Sequence, residues 1–180
     1  ALATLLFVVA AGGAAFAVWY FGRDLPDYTA LQNYEPAVMT RVHASDGALL
    51  GEFARERRLF LPIQAVPRMV INAFISAEDK NFWTHRGVDP EGLARAVWNN
   101  IRYYGQRRPE GASTITQQVA KNFLLTNETS LTRKIREALV ALRMEQTFSK
   151  ERILELYLND VYLGSINGTQ AYGLAAAALL

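Results

Sequence analysis

The first charged residue is Arg23, so residues Ala1 to Gly22 form an uncharged, largely aliphatic run that must leave water as a unit. As an α-helix this run would extend roughly 33 Å, at about 1.5 Å per residue, against about 30 Å of bilayer hydrocarbon. Its far end carries Trp19, Tyr20 and Phe21 and then Arg23. That order suits aromatic rings at the headgroup level and a charge in water. The rival reading is a cleaved signal peptide, with Ala15-Phe16-Ala17 as the small-residue site. Because the apolar run continues past that point, a transmembrane helix over residues 1–22 is the expectation. Orientation is not legible, since counting positive charges requires both flanks.

The rest of the chain is long enough for one modest domain, typically about 100 to 200 residues. Hydrophobic residues make up 51% of the sequence and are most concentrated at the N-terminus. Cysteine is absent and the only histidines are His43 and His85, which excludes a disulfide framework and disfavours a thiolate or histidine-rich metal site. A net charge of +2 is too small to argue for a nucleic-acid partner.

Residues 23–66 read as a linker followed by a small extended region. Two prolines without a period occupy Asp24 to Pro36. Val42-His43-Ala44 and Leu49-Leu50-Gly51-Glu52-Phe53 then flank Asp46-Gly47 as a hairpin would. From Pro67 to the end helices dominate. Val70, Ala73, Phe74 and Ala77 lead at helical spacing to Glu78. Asp89-Pro90 starts a helix through Tyr104 with Leu93, Val97 and Ile101 four apart, and Gly105 to Gly111 is a loop. Thr114 and Gln117 have capping-box spacing for a helix whose apolar stripe is Ile115, Val119 and Phe123. Gln117, Gln118, Lys121 and Asn122 are expected on its outward polar ridge. A further helix from about Ser130 to Phe148 puts Ile135, Leu139 and Leu142 on one side and Arg133 and Glu137 roughly opposite. Ser149 caps a last helix through Leu158, followed by a Gly-rich turn and an Ala/Leu-rich end.

Several stretches could carry chemistry. Glu78 to Asp89 sets ionisable side chains among aromatics, where a carboxylate could be tuned as a base, although a solvated helix end would read the same. Gly111 to Gln118 puts hydroxyls at a helix start where free amides and the dipole favour an anion, with Lys121 a turn further on. An ordinary capped helix would also look like this. Arg133, Lys134, Arg136 and Glu137 fit a charged solvated face as well as a site.

Taken in order, these stretches and Lys150 to Asn159 resemble the signature blocks of the peptidoglycan glycosyltransferases, in particular the module found in class A penicillin-binding proteins. The first block matches at Glu78, Asp79, Phe82, His85, Gly87 and Asp89. The second matches at Gly111, Ser113, Thr114, Ile115, Gln117 and Gln118, followed by Lys121 and Asn122. Arg133, Lys134 and Glu137 match the third, and Lys150, Ile153, Leu154, Glu155, Tyr157, Leu158 and Asn159 the fourth. Two departures stand out. Thr129 occupies a position where many relatives carry Arg, and the spacing from Gly164 to Tyr172-Gly173 exceeds the family's. An aromatic-Gly-Lys ending expected near the C-terminus is missing, so the C-terminal lobe reads as incomplete.

The resemblance implies a mainly α, lysozyme-like domain with a small β hairpin over residues 67–180 and its approach, preceded by one transmembrane helix. It implies polymerisation of lipid II into β-1,4 glycan strands, with inversion at the anomeric carbon and release of undecaprenyl pyrophosphate. Glu78 takes the role of general base and Glu137 that of the second essential glutamate. Lys121, Arg133 and Lys134 become pyrophosphate partners, and Asp79, Phe82, His85, Ser113, Thr114, Gln117, Gln118 and Asn122 belong to the substrate site. A divalent cation, Mg or Mn, could sit at the pyrophosphate with Glu137 as a ligand; no other cofactor is implied. The implied partners are lipid II, the growing glycan, the membrane and regulators of cell-wall synthesis. The implied location is the cytoplasmic (inner) membrane, single-pass, with the catalytic domain on the periplasmic face. The stretch from Leu25 to Leu61, including Tyr34-Glu35-Pro36, resembles bifunctional proteins, so a transpeptidase domain is expected elsewhere in the full protein. No Ser-x-x-Lys, Ser-x-Asn or Lys-Thr-Gly set occurs here. Two alternatives stay open: a lysozyme-like lytic enzyme, which would not need the basic trio, and a non-catalytic anchored module that binds precursors or partners.

Overall fold

The computed structural model describes residues 2–23, 25–27, 31, 40–53, 60–125, 130–166 and 169–178. Most of the expected linker, Tyr34-Glu35-Pro36 and Thr129 lie outside the described residues. Helix α1 covers Leu2–Gly22. Leu5, Val8, Phe16, Val18 and Trp19 on it are exposed, and Arg23 stacks over Trp19 and Tyr20. Among the described residues no helix is long and apolar enough to cross a membrane. The case for an anchor therefore rests on the sequence of α1, whose side chains are described only in part. At its end the carbonyl of Gly22 accepts a hydrogen bond from Arg143 at 3.2 Å, a basic group at a helix C-terminus.

Strands β1 (Thr40–His43) and β2 (Leu49–Phe53) pair antiparallel as the Asp46-Gly47 turn suggests. Gly47 adopts φ +83°, where other residues are strained. Helices α2 (Arg68–Glu78), α3 (Pro90–Arg102), α4 (Ile115–Leu124), α5 (Leu131–Thr147) and α6 (Lys150–Asp160) follow. The core lies where α4 packs between α5 and α6, with Ile115, Val119, Val140, Met144, Ile153, Leu154, Leu156 and Leu158 all buried. Beyond α6 the chain forms a second antiparallel hairpin, β3 (Tyr162–Ile166) with β4 (Thr169–Tyr172), and a short helix α7 (Leu174–Ala178). The sequence reading expected only a turn there.

Two helix faces differ from expectation. On α5 the buried residues are Glu137, Val140, Ala141 and Met144, at i, i+3, i+4 and i+7, so Glu137 sits on the core face. Ile135 and Leu142, expected to be packed, are about two-fifths exposed. On α3 the spacing of Leu93, Val97 and Ile101 is helical as expected, yet all three face outward; small residues, Gly92 and Ala96, make the contact with the body.

The fourth block is a scaffold. Asn159 accepts from the Leu61 amide at 2.7 Å and donates to the Leu61 carbonyl at 2.9 Å, copying a strand pairing with one side chain. It donates also to the Glu155 carbonyl, while Glu155 accepts from the Ile63 amide at 2.9 Å. These bonds satisfy the backbone of residues 61–63, which crosses α6 without a sheet. Replacing Asn159 with Ala strands the Leu61 groups against the core and is expected to cost about 1–3 kcal/mol in chemical denaturation.

Candidate active site

A cleft of about 750 Å³ lies between the end of α2, the start of α3 and the first turns of α4. Glu78, the last residue of α2, is exposed in this cleft, and its Oε2 accepts from the Gln118 side chain at 2.9 Å. Gln118 and Lys121, three apart on α4, share the wall with it. The aromatics near Glu78 therefore do not enclose it. Tyr157, buried on α6, has its phenol pushed above the ordinary range by burial and by the Glu78 charge.

Asp79 turns the other way. Its carboxylate accepts from the Ile115 amide at 2.9 Å, at the first position of α4, and from His85 Nε2 at 2.9 Å. His85 Nδ1 accepts from the Gly87 amide, which assigns the ring as the Nε2–H tautomer. Thr114 donates to the Gly87 carbonyl at 2.6 Å and accepts from the Gln117 amide, whose side chain closes the capping box on Thr114 N. Gly87 sits at φ +90° where a Cβ would lie 2.6 Å from the Ala141 carbonyl oxygen, so only glycine lets the loop pass α5. Phe82 is fully buried beneath, edge-on to Trp83 and His85, with the Lys150 ammonium 4.5 Å over its ring. Lys150 in turn pairs with Glu145, which also accepts from Thr116.

Asp79, Phe82, His85, Thr114 and Gln117 were expected to belong to the substrate site, and Gln117 to lie on an outward ridge. All five are buried with partners inside the protein, and of them Asp79 and Thr114 also line the cleft. The expected anion site at the start of α4 is likewise partly occupied from within, because Asp79 and Thr114 take the Ile115 and Gln117 amides. Asn122 bonds Asp160 at 3.0 Å, tying α4 to α6 away from the cleft lining.

Glu137 does not line the cleft. It is almost fully buried, with Lys134 Nζ at 2.6 Å and Arg133 Nε at 3.0 Å. The Arg133 contact is one of charge alone, for neither Arg133 Nε nor Glu137 Oε1 has a well-aligned hydrogen bond. Lys134 bridges from Glu137 to Ser113 Oγ, also at 2.6 Å, and Ser113 is part of the cleft wall. Lys134 thus reaches the cleft through Ser113, with Glu137 as its buried counter-charge. As a metal ligand Glu137 fits poorly, since both carboxylate oxygens already face cations; among the described residues no cluster suited to a metal is found.

Residues 46–180 match the transglycosylase family model. The chain belongs to the transglycosylase family. Curated relatives include the penicillin-binding proteins 1A of Rickettsia felis, 52% identical over 97% of this chain, and of Aquifex aeolicus, 46% identical over 87%. That of Neisseria lactamica is 47% identical over 96%. This transglycosylase chain spans about a fifth of the length of these relatives, 22%, 21% and 21% respectively.

Sequence reasoning missed Arg95 and Glu110 in the cleft wall, and Lys80 beside Glu78. Their one signal was proximity to matched blocks. Asp89, expected as a helix cap, lies at the start of α3 without a well-aligned cap bond. Burial works to raise its carboxyl, but the facing Gly92 amide and the bond from Asn81 outweigh this and leave it below the ordinary 3.8. A lowered folded value stabilises the fold at pH above the unfolded value, and that contribution is lost as pH falls through the folded one. Asp89→Asn is accordingly expected to flatten the loss of stability below about pH 4, read by urea midpoints at stepped pH.

Proposed function

We propose that this chain is the glycosyltransferase module of a bifunctional cell-wall synthase, extending glycan strands from lipid II at the cleft of Glu78. The observation that carries the reading is that the exposed carboxylate of Glu78 and the ammonium-bearing Lys121 line a single polar cleft of a transglycosylase fold. Glu78 takes the proton from the 4-hydroxyl of the acceptor sugar as that oxygen attacks C1 of the donor. The C1–O bond to the lipid pyrophosphate breaks with its electron pair on the departing oxygen, and the configuration inverts. Gln118 orients the base. Lys121, with Lys134 at Ser113, receives the charge that develops on the pyrophosphate. Arg133 and Glu137 hold Lys134 in place. Tyr157, kept as the neutral phenol, leaves Glu78 as the base.

The lytic alternative is less well supported, since hydrolysis gives no role to cations gathered beside the base. A lipid-borne substrate also accounts for the surface. Leu93, Val97, Trp98 and Ile101 turn outward along α3 and Tyr104 is exposed just past its end, with Arg102, Arg107 and Arg108 near it in the chain. This face and α1 are the proposed membrane contacts, in the inner membrane with the domain on the periplasmic side. Phe60 is partly exposed, whereas Leu61 packs against the core.

Glu78→Gln is expected to abolish glycan synthesis from lipid II by about 100- to 10,000-fold while leaving the circular dichroism spectrum unchanged. Lys121→Ala should lose about 100- to 1,000-fold with the same fold content; parental rates in either variant would remove that residue from the mechanism. Trp98→Ser with Ile101→Ser should change stability by no more than about 0.5 kcal/mol, because both are exposed. The pair should lower synthesis in vesicles more than in detergent.

A further inference from the structure

Between α3 and α4 the chain from Tyr103 to Glu110 forms no helix or strand, yet its far end is fastened by side chains. Asn100 donates to the Glu110 carbonyl at 3.0 Å and accepts from the Glu110 amide at 2.6 Å, so one side chain takes both backbone groups of one residue. Asn99 donates to Glu110 Oε2 at 2.7 Å, and Arg95 Nε lies 3.6 Å from Oε1. Three side chains from two successive turns of α3 therefore hold a single residue. Nearer the helix, Arg107 stacks over Tyr103 at 4.6 Å, closing the loop back on itself around a second cavity of about 500 Å³. Glu110 belongs to the walls of both cavities.

The fastening aims a carboxylate. Glu110 remains about two-fifths exposed and lies in the same cleft as Glu78 and Lys121. A carboxylate has room for about four hydrogen bonds, and Asn99 supplies one to Glu110, with Arg95 near enough to hold the charge but not to bond it. Unused acceptor capacity in a polar cleft suits hydroxyl donors, which a sugar presents and a pyrophosphate does not. The residue next in sequence, Gly111, begins the segment that leads through Ser113 to the capped start of α4.

We infer that Glu110 is a sugar-recognition residue of the cleft, accepting hydrogen bonds from hydroxyls of the lipid-linked disaccharide, and that Asn100 is the positioning residue that holds it there. This rests on the glycosyltransferase reading for the identity of the substrate, but not on catalysis by Glu78. Because Asn100 grips backbone atoms, its loss also frees the loop that contains Arg107.

The test measures binding of a fluorescent lipid-linked disaccharide pyrophosphate to the full chain in detergent, alongside glycan synthesis, thermal midpoint and cleavage by trypsin after Arg107. Glu110→Ala and Asn100→Ala are each expected to weaken binding by about tenfold, the worth of one to two hydrogen bonds, with the thermal midpoint held. Asn100→Ala alone should also speed trypsin cleavage after Arg107, which a loss of general stability at a constant midpoint would not do. Parental affinity in both variants overturns the inference, as does weaker binding in Asn100→Ala without faster cleavage. A parent that binds the probe but makes no glycan counts against the catalytic reading alone, and the inference is then judged on the affinities; a parent that binds no probe overturns both.

Discussion

Asp79 is the side chain on which the rest of the site depends. It follows Glu78 directly, so whatever holds its carboxylate also fixes where the base emerges. Its two bonds reach the first amide of α4 and the Nε2–H of His85, and His85 is oriented in turn by the Gly87 amide. A buried carboxylate surrounded by donors is stable only while those donors are present. The turn from Phe82 to Gly87 and the start of α4 are thus locked to α2 as one unit. Lys121 and Gln118 then face Glu78 because α4 can enter the core in only one register, with Ile115 and Val119 buried.

A second buried charge does comparable work from the other side. Glu137 sits on the core face of α5 among Val140, Ala141 and Met144, and it is tolerable there because Lys134 and Arg133 neutralise it. Removing one partner of such a group usually costs far more than the pair contributes. Its effect is to extend Lys134 to Ser113, bringing a positive charge to the cleft from a helix that does not line it. Lys150 repeats the arrangement with Glu145 and Thr116, and covers the ring of Phe82. In each case a lysine is held by a largely buried glutamate that does not line the cleft.

Helix positions and caps were legible because they depend on local chemistry: the Thr114 and Gln117 box forms as its spacing suggests, and Ser130 and Ser149 accept from amides three residues on. Which face of a helix is buried was less legible. Leu93, Val97 and Ile101 have the spacing of a core stripe, and sequence alone does not distinguish a stripe packed on protein from one turned outward. Glu137 failed in the opposite sense, since a charged residue is assigned to solvent unless its counter-charges are known to be three and four residues back. The roles of Asp79, His85 and Asn159 were hidden for another reason. Asp79 and Asn159 each bond a backbone group far away in sequence, and His85 acts through the Asp79 carboxylate; neither spacing nor composition records where a distant amide will lie. The β3–β4 hairpin escaped because Gly164 and the stretch around it read as turn residues.

The claim that Glu78 is positioned through Asp79 is tested most directly by the rate of glycan synthesis from lipid II in Asp79→Asn, at a temperature where circular dichroism matches the parent. An asparagine sets an amide against donors at Ile115 and His85. The account expects at least a roughly 100-fold loss, approaching that of removing the base, although the bonds that change lie inside the protein. Synthesis at the parental rate in a folded Asp79→Asn protein would contradict it, and Glu78 would then owe its position to something other than the Asp79 bonds.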